Sequence, residues 1–128
     1  MMNYHSKSKY GSRKVTYNGI LFHSEKEANR YAELLLLKRA GAISGLKRQE
    51  AFELIPAQYE YYARYGKKGQ RLKDGKRCIE KSCVYNADFS YIENGVKVVE
   101  DTKGFKTKDY IIKRKLMLYI HNIRIREL

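Results

Sequence analysis

The chain has 128 residues, with 27 Lys or Arg against 14 Asp or Glu for a formal charge of +13, and it is 43% hydrophobic with 12 tyrosines. That length suits one domain with a modest core, and that hydrophobic content excludes wholesale disorder. The basic excess favours a polyanionic partner, nucleic acid foremost, while no apolar run approaches the ~20 residues of a membrane span.

The N-terminus, "MMNYHSKSKYGSRK", has no apolar stretch of the kind a secretory signal needs. It reads as a basic arm over residues 1–19, ahead of a single domain from 20 to 128. Ser24 followed three residues later by Glu27 forms a capping box, which predicts a helix over 25–39. Ala28, Tyr31, Leu34, Leu35 and the Lys38 stem share one face of it, and Ala40-Gly41 ends it. Ala51, Phe52, Leu54 and Ile55 then predict a strand stopped by Pro56, the one proline. The tyrosines 59, 61, 62 and 65 alternate with polar residues. Packing in a strand and the core is the expected role for most, and stacking on unpaired bases is the alternative.

Residues 65–81 are rich in Gly and Lys and read as a basic loop or minor hairpin with an Asp74-Gly75 turn. Lys67, Lys68, Arg71 and Lys73 there are candidate phosphate ligands. Cys78 and Cys83 lie five apart and match no zinc spacing, and His5, His23 and His121 have no cysteine companions, so a reduced intracellular protein is expected. Asn94-Gly95 marks a two-residue hairpin turn between strands 83–92 and 96–103. That register sets Asp88 opposite Asp101. Alternation puts Lys103 on the same face and Glu100 and Thr102 on the other. Directly opposed like charges destabilise a sheet, and a hard divalent cation is the natural compensation. Lys103 would polarise a water or a phosphate oxygen there, or simply neutralise Asp101. Thr107 is the expected N-cap of a second helix with Ile112, Leu116 and Tyr119 at helical spacing. Lys106, Lys108, Lys113, Arg114 and Lys115 add positive charge along it, and "IRIREL" alternates as a short closing strand.

Helix, three strands, helix and strand, with acid, hairpin and acid-x-Lys in the middle, resembles the PD-(D/E)XK nuclease superfamily. Asp88 matches its first acid, Asp101 the second, Thr102 the x and Lys103 the lysine. Ala87 stands where the motif has Pro, and Asp101 where Glu is commoner. Glu100 is the alternative second acid if a bulge turns it to the other face. The stretches "SEKEANRYAELLLL", "QEAFELIP", "ADFSY" and "VVEDTKGF" also look like a small family of phage-encoded proteins assigned to that superfamily. The resemblance implies an α/β chain of α+β type, an αβββαβ restriction-endonuclease-like core whose mixed central sheet is flanked by helices.

It also implies a Mg²⁺-dependent DNA endonuclease, with Mn²⁺ substituting, that acts on branched, forked or four-way-junction DNA. Asp88, Asp101 and the Thr102 carbonyl would hold the ion, and Glu27 would match the additional acid of the first helix. The capping box accounts for Glu27 equally well. Gln49 and Glu50 carry little weight as site residues. A homodimer cutting both strands, a cytoplasmic location, no membrane partner and no organic cofactor complete the expectation. The alternatives are a non-catalytic nucleic-acid-binding protein with the same fold, and an RNase with the same metal site.

Overall fold

The computed structural model describes residues 3–7 and 13–128. The Asn94-Gly95 turn forms as the sequence predicts, with φ of 51° and 76°, and joins β9 (Phe89–Glu93) to β10 (Val96–Asp101). Their register runs from Glu93↔Val96 to Glu100↔Phe89. Strand β4 (Ser44–Arg48) pairs antiparallel with β9, and β11 (Arg126–Glu127) pairs parallel with β10, giving a mixed sheet of order β11-β10-β9-β4.

Alternation along this sheet builds two cores. Phe89 and Tyr91 face helix α1 (Glu25–Arg39), with Ala28, Leu34, Val15, Phe22 and Ile43. Val99 faces the other way, with Tyr110 and Met117 of helix α2 (Lys108–His121), and with Leu54, Tyr85, Ala87 and Ile125. A mixed sheet between two helices is an α+β fold, the class expected, although the strand expected over 51–55 lies outside this sheet and residues 44–48 take its place. Glu100 falls on the α1 face, fully buried. Arg30 donates to both of its oxygens, at 2.8 and 2.6 Å, and the Tyr91 hydroxyl donates as well. β10 runs through Asp101 without the bulge that would have turned Glu100 toward Asp88.

Five expectations need correction. The basic arm does not extend through residue 19: β1 (Asn3–Lys7), β2 (Arg13–Tyr17) and β3 (Ile20–Phe22) form a three-stranded sheet, and Val15 is fully buried because α1 needs a cover on that side. Residues 1–2 and 8–12 of the arm lie outside the described residues. The 83–92 segment is two strands, β8 (Cys83–Asn86) and β9, because the chain changes partner at Ala87-Asp88. Opposite it, Gln49 takes a left-handed φ of 53°, so β4 leaves β9 and the chain continues as β5 (Ala51–Ile55) along β8. The Ala87 N–H to Glu50 carbonyl bond, 2.9 Å, and the Gln49 N–H to Asp88 carbonyl bond, 3.3 Å, tie the two bends together.

Asp74-Gly75 is not a turn. It lies inside β7 (Arg71–Glu80), which pairs with β6 (Gln58–Tyr65), and the chain reverses instead through Gly66–Gln70, where Gly69 has φ of 79°. Tyr62 needs Gly75 as its cross-strand partner, since an added Cβ would stand 2.1 Å from the Tyr62 ring. The four tyrosines of β6 are exposed, so core packing is not their role. On α2 the buried stripe is Tyr110 and Met117, flanked by Ile111 and Leu116, while Ile112 and Tyr119 face solvent. A shift of one or two positions is 100–200° of helix, and the Tyr110 hydroxyl bond to Glu127, 2.7 Å, fixes the observed phase.

Candidate functional site

Asp88 stands at the strand switch, one residue past the end of the β9–β10 ladder. The sheet therefore no longer forces it face to face with Asp101. Its Oδ2 accepts from the Thr102 N–H at 2.8 Å and from the Thr102 hydroxyl at 2.9 Å, so the carboxylate replaces the next rung of the ladder. Both bonds fall on Oδ2 and leave Oδ1 outside them.

Asp101, 1% exposed, projects to the α2 face. Its Oδ1 accepts from the Lys103 N–H at 2.9 Å, and its Oδ2 accepts from the Tyr85 hydroxyl at 2.6 Å and the Lys103 ammonium at 2.9 Å. The Lys103 ammonium also lies 5.3 Å from the centroid of the Tyr110 ring. Burial and then the Asp101 carboxylate push the Tyr85 hydroxyl well above the ordinary tyrosine range, which keeps it a donor. The sequence offered no sign of Tyr85 beyond its alternation with Cys83. Only the packing of the core beneath α2 brings its hydroxyl to Asp101.

Glu27 reaches the same place from the first turn of α1. Half of the capping box forms: the Glu27 N–H donates to Ser24 Oγ at 3.1 Å, but its carboxylate does not return to the Ser24 backbone. The side chain turns inward instead, 3% exposed, and its Oε1 is buried without a hydrogen-bond partner. Burial first, then Asp88, push the Glu27 carboxyl up to about 7 against the pull of Arg48 and Lys103, and Asp101 adds to the rise. Arg48 was also missed in the sequence. Its guanidinium stacks 4.6 Å above the Phe22 ring and leaves a buried Nε unpartnered.

One pocket gathers Glu27, Asp88, Thr102 and Lys103 with Lys14 and His23, and a second shares Asp88, His23 and Lys103 and adds Gln49 and Lys113. Of the other candidate phosphate ligands, Lys106 and Arg114 both pair with Glu127, and Lys108 is exposed at the start of α2. Lys67, Lys68, Arg71 and Lys73 stand on the β6–β7 hairpin, and Arg71 pairs with Asp74. Glu50 serves Ser90, Lys47 and Lys97 and is not part of the cluster. Cys78 and Cys83 are free thiols. Among the described residues no three His, Cys, Asp or Glu side chains stand together at metal-ligand spacing, and no helix is long and apolar enough to cross a membrane. Chemically the cluster offers three buried carboxylates, one with an oxygen lacking any donor, beside one half-exposed ammonium.

No curated protein and no solved structure matches the chain. Residues 7–126 match one family, described as a protein of unknown function (DUF1064), and over that span the chain belongs to it.

Proposed function

We propose that the chain is a metal-dependent nuclease that hydrolyses phosphodiester bonds in branched DNA, with Glu27, Asp88, Asp101, Thr102 and Lys103 as its site. The observation that carries this reading is the Glu27 Oε1 atom, buried without a partner in the pocket that also holds Asp88, Thr102 and Lys103. A buried carboxylate oxygen without a donor is costly, and a cation or water held between Glu27 and Asp88 would offset that cost. The donor set is all oxygen and suits a hydrated Mg²⁺ or Mn²⁺, which needs only one or two carboxylates beside its waters. Asp88 and Asp101 would hold the ion, and it would supply Lewis acidity at the scissile phosphate.

The chain's own groups then divide the remaining work. Thr102 fixes Asp88 through two bonds, and Tyr85 and the Lys103 N–H fix Asp101, so both carboxylates are pre-positioned. The Lys103 ammonium, half exposed at the pocket, would orient a water or steady a phosphate oxygen. Glu27 would hold or release a proton near neutral pH, and Lys14 and Lys113 at the pocket margins would bind flanking phosphates.

One observation favours a second reading. Asp101 already receives donors on both oxygens and Asp88 on one, so the aspartates are satisfied without a cation. A non-catalytic nucleic-acid-binding protein would keep the same bonds. Cleavage of labelled linear, forked and four-way-junction DNA and of a matching RNA, with Mg²⁺, with EDTA and with Asp101→Ala, separates the readings. Metal-dependent cutting lost in the variant supports the nuclease, and binding without cutting in both Mg²⁺ and Mn²⁺ overturns it.

A further inference from the structure

Strands β6 and β7 form a two-stranded ribbon, and among the described residues each packs extensively only along the other. Every residue of β6 is exposed, and on β7 Gly75 alone is buried, under Tyr62. A ribbon without a core still carries four tyrosines, with Tyr61 and Tyr65 each 64% exposed. Rings left in water on a free-standing hairpin contribute nothing to a hydrophobic core, and a contiguous exposed aromatic row marks a binding surface.

The register sorts these side chains by face. Tyr59, Tyr61 and Tyr65 share one face, with Cys78, Lys76 and Arg71 as their cross-strand partners. Lys76 lies 3.9 Å from the Tyr59 ring centroid and Arg71 lies 5.6 Å from that of Tyr65. Along the row, cation and ring therefore alternate. Of the acids of the ribbon, Glu60 pairs with Arg77 on the opposite face, and Asp74 pairs with Arg71 itself, so a phosphate at Arg71 would compete with that pair. Residues 58–80 hold seven Lys or Arg against three acids, with Lys67 and Lys68 at the tip.

We propose that this face is a platform for an unpaired stretch of nucleic acid, with bases stacking on Tyr61 and Tyr65 and phosphates meeting Lys76, Arg71 and the tip lysines. Duplex bases are already stacked, so exposed rings add affinity only for bases outside a helix, whereas cations alone suffice for duplex phosphates. The inference rests on the nucleic-acid part of the proposed function and not on hydrolysis. It specifies a substrate with a single-stranded arm or tail.

The test is fluorescence anisotropy in EDTA with a labelled single-stranded DNA, the same sequence as RNA, a blunt duplex and a duplex with a single-stranded tail. Wild type is compared with Tyr61→Ala/Tyr65→Ala and with Tyr61→Phe/Tyr65→Phe, thermal unfolding confirming that each is folded. The alanine pair should weaken single-stranded and tailed binding by about tenfold or more, leave the blunt duplex unchanged, and be matched by wild-type affinity in the phenylalanine pair. Whichever sugar binds more tightly, the same pattern supports the platform. Equal loss on the duplex, no loss on single strands, or a change only in self-association by sedimentation overturns it. Cleavage measured in parallel keeps the two ideas apart: a protein that shows the ribbon effect but never cuts loses the nuclease alone, and one that cuts with an unaltered ribbon variant loses the platform alone.

Discussion

Glu27 shows how one side chain links stability to function. Its folded carboxyl keeps its proton up to about 7, whereas an ordinary glutamate loses it near 4.5. Between those values the folded chain holds the extra proton, so stability falls as pH rises through the window, by about 3 kcal/mol at its limit. Asp88 and Asp101 enlarge that fall, and Arg48 and Lys103 reduce it. Glu27→Gln should therefore unfold at a higher temperature than wild type at about pH 8 and show a smaller advantage at about pH 5. Adding Mg²⁺ at the higher pH should raise the wild-type midpoint and leave that of Asp101→Ala nearly unchanged, a readout independent of catalysis. Tyr85→Phe removes a buried donor from Asp101, and a fall in stability of about 1–3 kcal/mol is expected, read from the urea midpoint. Of the candidate site residues, Asp88, Asp101 and Lys103 were singled out by the turn and the two-residue period of a strand, although Asp88 and Lys103 fall just outside the β9–β10 ladder. Tyr85 and Arg48 were not, because nothing local in their segments records which distant carboxylate they will meet.

The two helices hold the sheet by different means, and each means has its own test. α1 is anchored by Arg30, whose guanidinium forms a two-pronged pair with the fully buried Glu100. Arg30→Ala leaves that carboxylate in the core with its main partner gone, and a loss of about 3–5 kcal/mol is expected in denaturant unfolding. Glu100→Gln in the same chain should recover part of it. α2 starts at Thr107, whose hydroxyl accepts from the Tyr110 N–H at 3.1 Å. Thr107→Ala should cost about 1 kcal/mol and show faster amide exchange in the first turn of α2. Both caps were readable because an N-cap is a local pattern. The buried stripe of α2 was not, since Ile112 and Tyr119 have the spacing of a core face and yet point to solvent. Tyr110 and Met117 are buried instead because β5, β8 and Glu127 lie on their side.

Across the molecule, the candidate phosphate-binding cations include Lys14 and Lys113 at the pocket margins and Lys67 and Lys68 at the ribbon tip. Binding to nucleic acid should weaken steeply as salt rises, because each cation that meets a phosphate releases a counterion. Lys67→Ala/Lys68→Ala should lower the slope of log affinity against log salt by about 2 if both lysines bind phosphates, with the midpoint of thermal unfolding unmoved. The ribbon explains why that surface was hard to read in sequence. Alternating tyrosines have the pattern of a half-buried strand, and here every residue of that strand is exposed because none of the described elements covers it.

By itself the sequence determined the parts whose cause is short-range: the Asn94-Gly95 turn, the caps at Ser24 and Thr107, and the α+β class. These follow from backbone sterics and from the periods of helix and strand, which act within a few residues. Tertiary structure alone decided the bend at Gln49 and Ala87-Asp88, the donors on each aspartate, the burial of Val15, and the inward turn of Glu27. Each of these depends on which surface packs against which, and a carboxylate is isolated, paired or stranded by neighbours far away in the chain.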